Sequence, residues 1–360
     1  MISFSQSVSS LQSLMFRQRT TESVSRQLLV AETEIATGRY ADVFASLGSR
    51  ATEAMSMRTS FERLEGQIQS NTFLQNKLDT TATTLGNLRD TAQEVLTLAI
   101  TNSDPTSGNP QYLQQAARTA YDAIAGYLNT NYNGNALFSG VDTDRSPVNP
   151  WDRKDGATGL SPSDVLAGVT GGTVTDAADA AAKLAEINAI FDGTTANPDT
   201  AFEESFYNGT PHEDGSGNAN PRLAAIIDDG IRIDYGVQAN DDAFRDVLKG
   251  LALLASADPV DITDDGAYAA WVGAAVGALQ TGVSGVLSLE TRTGTYQGQI
   301  EDTISRQETR RDLLSTQISE LEGVDPYEAA TRLSALETQL QASYAVTARL
   351  QNLSFVNFMY

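Results

Sequence analysis

Between Met57 and Ala99 apolar residues recur in alternating steps of four and three. Met57, Phe61, Leu64, Ile68, Leu78, Ala82, Leu85, Ala92, Leu96 and Ala99 fall on this series, and Asn71, Gln75 and Arg89 complete it. No proline interrupts the run. The spacing predicts an amphipathic helix about 65 Å long with a coiled-coil-like stripe. Such a length exceeds the usual globular helix and points to a rod or bundle. The breakers in "SDPTSGNP" end it. A shorter amphipathic stretch follows, with Leu113, Ala117, Ala120, Ile124 and Leu128 on one face.

Both chain ends repeat the theme with narrower seams. Val24, Leu28, Ala31 and Ile35 share a face, and Gly38 ends that pattern. From Ile300 a second seam runs through Ile304, Leu314, Ile318 and Leu321, then breaks at "EGVDPYEAA". There Asp325 is placed to cap a new helix, with Pro326 at its first position and Glu328 closing a capping box. Leu333, Leu336, Leu340, Val346, Leu350 and Leu353 continue it toward a charge-free tail that holds Phe355 and Phe358. Ser, Thr, Gln and Asn dilute these seams, and isolated helices of that kind are marginal in water. Two readings account for the tail: burial among neighbouring copies, or docking within its own chain.

Between the ends the texture changes. "NALFSGVDTDRSPV" holds short β-like runs, and residues 151–222 are rich in turn formers with one helix predicted near 176–191. "RIDYGVQA" reads as a strand and "DDAFRDVLKGLALLAS" as a helix. The predicted fold is mainly α: a long antiparallel helical bundle or coiled-coil rod formed by both chain ends, with a mixed α+β domain inserted. The divisions expected are 1–42 with 324–360, 43–150 with 229–323, and an exposed acidic insert at 151–228.

Charge sharpens this picture. The 360 residues carry a formal −22, of which residues 103–284 hold −17, against −1 for 1–102 and −4 for 285–360. An acidic block of this size repels duplex nucleic acid and anionic lipid, which argues against either as a partner. The chain has no cysteine, so disulfides, thiolate catalysis and Cys-ligated zinc are excluded. No apolar run of membrane-spanning length stands out, and the first residues lack the pattern of a cleaved signal peptide.

Candidate chemistry is sparse. The lone histidine, His212, lies beside Glu213 and Asp214 in "GTPHEDGSGN", which reads as a solvated loop. "DITDDG" at 261–266 places Asp261, Asp265 and Gly266 as a calcium loop would, but Val272 stands where the bidentate Glu belongs. Asp241 and Asp242 suit a helix start, with a surface cation as the competing reading. Met55, Met57 and Phe61 read as core packing. No cofactor, no metal and no catalytic residue is expected.

Several stretches resemble the flagellin superfamily and, within it, its hook–filament junction branch. They are "EIATGRYADVFASLGSR", "NYNGNALFSGVDTDRSPV", "FEESFYNG", "RIDYGVQANDDAFRDVLKGLALLA" and, above all, "ISELEGVDPYEAATRLSALETQLQASYAVTARLQNLSFVNFM". The turn "ATGRYADVF" and the ending "NFMY" favour junction protein over filament subunit, and the missing Asp-Asp-Pro after the turn marks a divergent branch. The resemblance implies a non-enzymatic, extracellular flagellar subunit, exported unfolded without a cleaved leader and assembled as a ring. Its implied neighbours are copies of itself, another hook-associated protein and flagellin, with an export chaperone at the C-terminus. The implied assembly interface is Val24, Leu28, Ile35, Leu333, Leu336, Leu340, Val346, Leu350, Leu353, Phe355 and Phe358. The implied rod seam is Met57, Phe61, Leu64, Ile68, Leu78, Leu85, Leu96, Ile304, Leu314, Ile318 and Leu321. Competing readings are flagellin itself and a secreted acidic enzyme or carbohydrate-binding protein built around 151–258.

Overall fold

The computed structural model describes the backbone of residues 4–104, 110–171, 173–258 and 260–358. Side chains are described within these bounds except at 4–11, 13–14, 110–111 and 350–358. The elements, in order, begin with helices α1 (Phe4–Thr37), α2 (Val43–Leu47), α3 (Ala51–Thr101) and α4 (Pro110–Leu128). The hairpin β1 (Asn131–Tyr132) and β2 (Asn135–Ala136) precedes α5 (Pro162–Thr170) and α6 (Ala177–Phe191). A π-helical turn at Phe202–Phe206 leads to the hairpin β3 (Ala225–Asp228) and β4 (Ile231–Ile233). Helices α7 (Asp242–Ser256), α8 (Asp265–Glu322) and α9 (Pro326–Phe358) complete the chain. Two compact units form, one from 1–68 with 306–360 and one from 69–305.

The core of the unit spanning 69–305 is continuous. Leu85, Leu88, Val95 and Leu96 of α3 share one cluster with Leu113, Ala117, Ile124 and Leu128 of α4, and with α7 and the first turns of α8. Trp151, Val165, Ile187 and Phe206, from the acidic middle, belong to that same cluster. The change in composition near residue 151 therefore marks no break in the core. Polar tips are tied inside it: Trp271 Nε1 donates to the Leu253 carbonyl at 2.9 Å, and the Tyr268 hydroxyl donates to that of Asn102 at 2.6 Å. A second cluster sets Ile227 and Ile233 of the β3–β4 hairpin on Leu74, Leu78 and Ile300. Asn71 is buried there and donates to the Ile227 carbonyl at 2.8 Å, so the amide on the stripe anchors the hairpin.

Several expectations change. The α3 stripe keeps Leu64, Ile68, Leu78, Leu85, Ala92 and Ala99, but Leu74, Thr81, Leu88 and Val95 turn inward at the alternate positions while Gln75, Ala82 and Arg89 sit at its edge. The apolar residues one step back outcompete the polar Gln75 and Arg89 for burial. Met55 is exposed and Met57 and Phe61 are half-buried; Ala51 and Ala54 hold the inward positions instead. The strand read from "RIDYGVQA" stops at Ile233, opposite Ala225, the first residue of β3. Asp325 caps α9 by accepting from the Tyr327 amide at 2.8 Å, but Glu328 pairs with Arg332 at 2.9 Å and does not close the box. The N-terminal part of α8 contains an 18-residue window of mean hydropathy 1.5, long and apolar enough by composition to span a membrane. Alanine and glycine raise that value, and 24 residues from Gly266 to Leu289 carry no charge. One face of the segment, with Trp271, Val272, Ala275, Leu279 and Val286, is built into the core.

Helices α7 and α8 approach closely because glycines stand at the crossing. A Cβ on Gly282 would lie 2.6 Å from both Cγ2 and N of Val247, whereas one on Gly277 meets nothing within 4 Å. Gly282→Ala is expected to lose about 1–3 kcal/mol through overpacking, and Gly277→Ala to gain up to about 1 kcal/mol through helix propensity; urea unfolding measures both.

The loop before α5 rests on a buried carboxylate. Burial pushes the Asp155 carboxyl up, but amide donors from Thr158 and Ala157, at 3.0 and 2.7 Å, hold it below its ordinary range. Since the folded-state value is depressed, its stabilisation is present above the unfolded carboxylate value and fades as pH falls through the folded one. Asp155→Asn is expected to cost about 1–3 kcal/mol at pH 7. Thermal unfolding should show the gap from wild type closing as pH falls below about 4.

Candidate assembly interface

Helices α1 and α9 run antiparallel within the unit formed by 1–68 and 306–360. Val24 and Ala31 of α1 meet Leu336 of α9 in a buried seam, with Leu28, Leu333 and Leu340 partly buried beside it. The seam is short and ends at a polar clamp. Glu34 is buried, accepts from Arg332 Nη1 at 3.3 Å and receives the Ala41 amide at 3.4 Å. Glu34 thus takes the inward place expected of Ile35, which lies 40% exposed. The third and fourth positions after Ala31 both lie toward the inner face, and the contacts with Arg332 and the Ala41 amide draw Glu34 in.

Two antiparallel helices bury one stripe each, so their remaining faces stay open. Large apolar residues stand on those faces among Arg, Glu, Gln and Thr. Phe16 is 72% exposed, Leu29 60% and Tyr327 83%, and Met15, Val30, Tyr344 and Val346 are also exposed. Scattered apolar residues on a surface are ordinary, but a run along one helix pair marks an interaction face. Grooves of about 470 Å³ and 300 Å³ accompany the pair, the first holding Val30, Arg26 and Leu336, the second Phe16, Thr20 and Val346.

Threonines on this helix pair turn their hydroxyls to their own backbone. The hydroxyls of Thr20, Thr21, Thr33 and Thr37 donate to carbonyls one turn back, at 2.7–3.0 Å. Thr331, Thr338 and Thr347 do the same on α9 at 2.8 Å. Each hydroxyl finds its partner inside its own helix, which leaves the methyl group available for packing.

Among the expected interface residues, the structure brings Val24, Leu28, Leu333, Leu336 and Leu340 together and turns Ile35 and Val346 outward. The side chains of Leu350, Leu353, Phe355 and Phe358 lie outside the described residues. The seam spacing does not pick out Phe16, Leu29, Val30 or Tyr344. The signal for Leu29 and Val30 was present, since both sit off the seam yet are apolar. The expected rod-seam residues are buried or half-buried: Leu64, Ile68, Leu78, Leu85, Leu96, Ile318 and Leu321 fully, and Met57, Phe61, Ile304 and Leu314 in part.

The other candidates serve the fold. His212 is exposed, and its amide donates to Glu203 Oε1 at 3.0 Å. Asn240 Nδ2 donates to the same oxygen at 2.6 Å, so this carboxylate of the adjoining 500 Å³ cleft is already engaged. Asp241 precedes α7 and binds Arg222 at 2.5 Å, while Asp242 pairs with Arg245. In "DITDDG" it is Asp264 that caps α8, accepting from the Ala267 amide at 2.7 Å. Among the described residues no group of His, Cys, Asp and Glu is arranged to hold a metal ion.

Comparison with known proteins rests on two family models. The bacterial flagellin N-terminal helical region matches residues 8–143, and the bacterial flagellin C-terminal helical region matches residues 276–359. A search of curated protein sequences gives no match. Similar solved structures include FlgL of Bacillus cereus, at 13% identity and a TM-score of 0.38, covering 76% of this chain and 99% of that one. A flagellar hook-associated protein from Vibrio parahaemolyticus shows 14% identity and a TM-score of 0.35, covering 82% and 96%. The two family models together match more than half of the chain, in the helices contributed by its two ends, and the chain belongs to the flagellin family of bacterial flagellar structural proteins.

Proposed function

We propose that this protein is the subunit joining hook and filament, and that it assembles as a ring through the terminal helix pair. The observation that carries the reading is the open apolar surface of α1 and α9, with Leu29, Val30, Tyr344 and Val346 facing solvent in the single chain. Equivalent helices of neighbouring copies supply its cover, with Leu350, Leu353, Phe355 and Phe358 extending the contact. In this scheme residues 1–42 and 324–360 form the inner layer. Residues 43–150 and 229–323 pack outside it, and 151–228 face the medium, where their acidic charge maintains solubility. Another hook-associated protein and flagellin flank the ring, and a chaperone covers the C-terminal helix before export. A chain without cysteine suits passage as an unfolded thread, since no disulfide forms on the way. The ending "NFMY" and the turn "ATGRYADVF" favour this role over filament subunit.

Replacing Leu29, Val30, Ile35 and Val346 together by Ser is expected to abolish motility in cells relying on the variant. Thermal unfolding of the soluble monomer should shift by no more than about 0.5 kcal/mol per site, because each is exposed. Electron microscopy of detached flagella labelled with an antibody to residues 151–228 locates the protein. A narrow band at the hook end is expected, label along the filament would mean flagellin, and normal swimming of the variant would sink the assembly mechanism.

A further inference from the structure

Lysine is scarce in this chain and stands only at positions 77, 154, 183 and 249. Three of these side chains are ion-paired: Lys154 with Asp164 at 3.7 Å, Lys183 with Asp179 at 2.7 Å and Lys249 with Asp246 at 3.0 Å. Lys77, on α3, has no carboxylate within ion-pair distance among the described residues. Its Nζ lies instead 5.2 Å from the centroid of the Tyr235 ring. The side chain is half-buried, and Leu74 and Leu78 on the same helix belong to the cluster that receives the β3–β4 hairpin.

The acidic side chains on the surrounding elements are engaged elsewhere. Asp79 of α3 accepts from Gln297 Nε2 of α8 at 2.6 Å. Asp234, just past β4, accepts from Arg232 Nε and Nη2 at 3.1 and 2.9 Å, and Asp228 accepts the Asp229 amide at 2.9 Å. Glu301 and Asp302 of α8 are exposed. Tyr235, whose phenol is pushed up by burial, presents a neutral ring. A ring face supports a half-buried cation less than a carboxylate in contact would. Burial therefore acts on the Lys77 ammonium with little to offset it, and holds its pKa below the ordinary lysine value.

Charge separates Lys77 from the other three as well. They fall within residues 103–284, which carry −17, whereas Lys77 falls within residues 1–102, which carry −1. A small anionic reagent meets less repulsion there. We propose that Lys77 is a modification site, the lysine that activated acyl donors of the acyl-phosphate class capture first. A desolvated amine without a counter-ion is the form of lysine that acts as a nucleophile. The unprotonated Nζ attacks the carbonyl carbon, and the bond from that carbon to the phosphate oxygen breaks. Inorganic phosphate leaves with the electron pair, and the surplus amine proton passes to water. The product is an Nε-acyl amide without charge, so its formation removes the half-buried cation. The site is a property of the free chain, and its test does not depend on the flagellar position proposed above.

Acetyl phosphate on the folded full-length monomer, stopped at low conversion and mapped by mass spectrometry, reads the site directly. Lys77 is expected to be acetylated about threefold or more faster than each of Lys154, Lys183 and Lys249. Its rate should also reach its plateau at lower pH than theirs, since a depressed amine loses its proton earlier. In denaturing urea the four rates should agree within about twofold, because the preference belongs to the fold. Phe73→Glu, at an exposed position one turn before Lys77, supplies the missing carboxylate in the favourable order. That variant should slow Lys77 by about threefold and leave the other lysines within about twofold of wild type. Equal or slower reaction at Lys77 in the folded wild type would overturn the proposal. So would a preference that survives in urea, or a pH profile at Lys77 that coincides with those of the paired lysines.

Discussion

Two helices drawn from opposite ends of one polypeptide bury a single stripe between them, and that geometric limit governs the terminal part of this protein. Val24, Ala31 and Leu336 close the stripe. A helix pair of this kind has a seam but no enclosed interior, so the hydrophobic contribution to its pairing is small beside the conformational entropy of more than sixty ordered residues. Large apolar residues such as Phe16, Leu29, Val30 and Val346 are left uncovered on both helices.

The unit spanning 69–305 solves the same problem in the opposite way. Its helices cross closely at Gly250, Gly282 and Gly285, and the aromatic rings of Phe191, Phe202 and Phe206 pack at centroid distances of 5.2–5.6 Å, the last two stacked. Tyr207, whose phenol is pushed up by burial, still donates to the Thr210 carbonyl at 3.1 Å. The acidic middle joins this core through its apolar residues, and several of its carboxylates serve caps and turns. Asp176 caps α6 and Asp164 completes the capping box of α5. The negative charge is thus compatible with local order.

Polar groups at inward positions do specific work along the long helices. Asn71 holds a hairpin, Glu34 clamps the terminal pair, and Glu322 is fixed by Arg58, whose guanidinium is held above its ordinary range by their hydrogen bond. Residues that dilute a coiled-coil stripe are often read as weakness. Here they set where each segment begins, ends and pairs, which is the role buried polar residues have in register control.

Periodicity alone determined that both chain ends are long helices, that α4 buries Leu113 through Leu128, and that helices lie near 177–191 and 242–256. These follow from local spacing, capping residues and breakers, which act within a few residues of one another. The exact inner face of α3 was not legible, since Leu74 against Gln75 and Leu88 against Arg89 are decided by what lies opposite. The same holds for Glu34 displacing Ile35, because a carboxylate goes inward only when an arginine nearly three hundred residues away meets it. The open face of Leu29 and Val30 likewise emerged only from pairing, since a stripe is exposed or buried according to how many helices surround it. Sequence spacing names the apolar positions, and tertiary structure alone decides which of them the chain buries and which it leaves exposed.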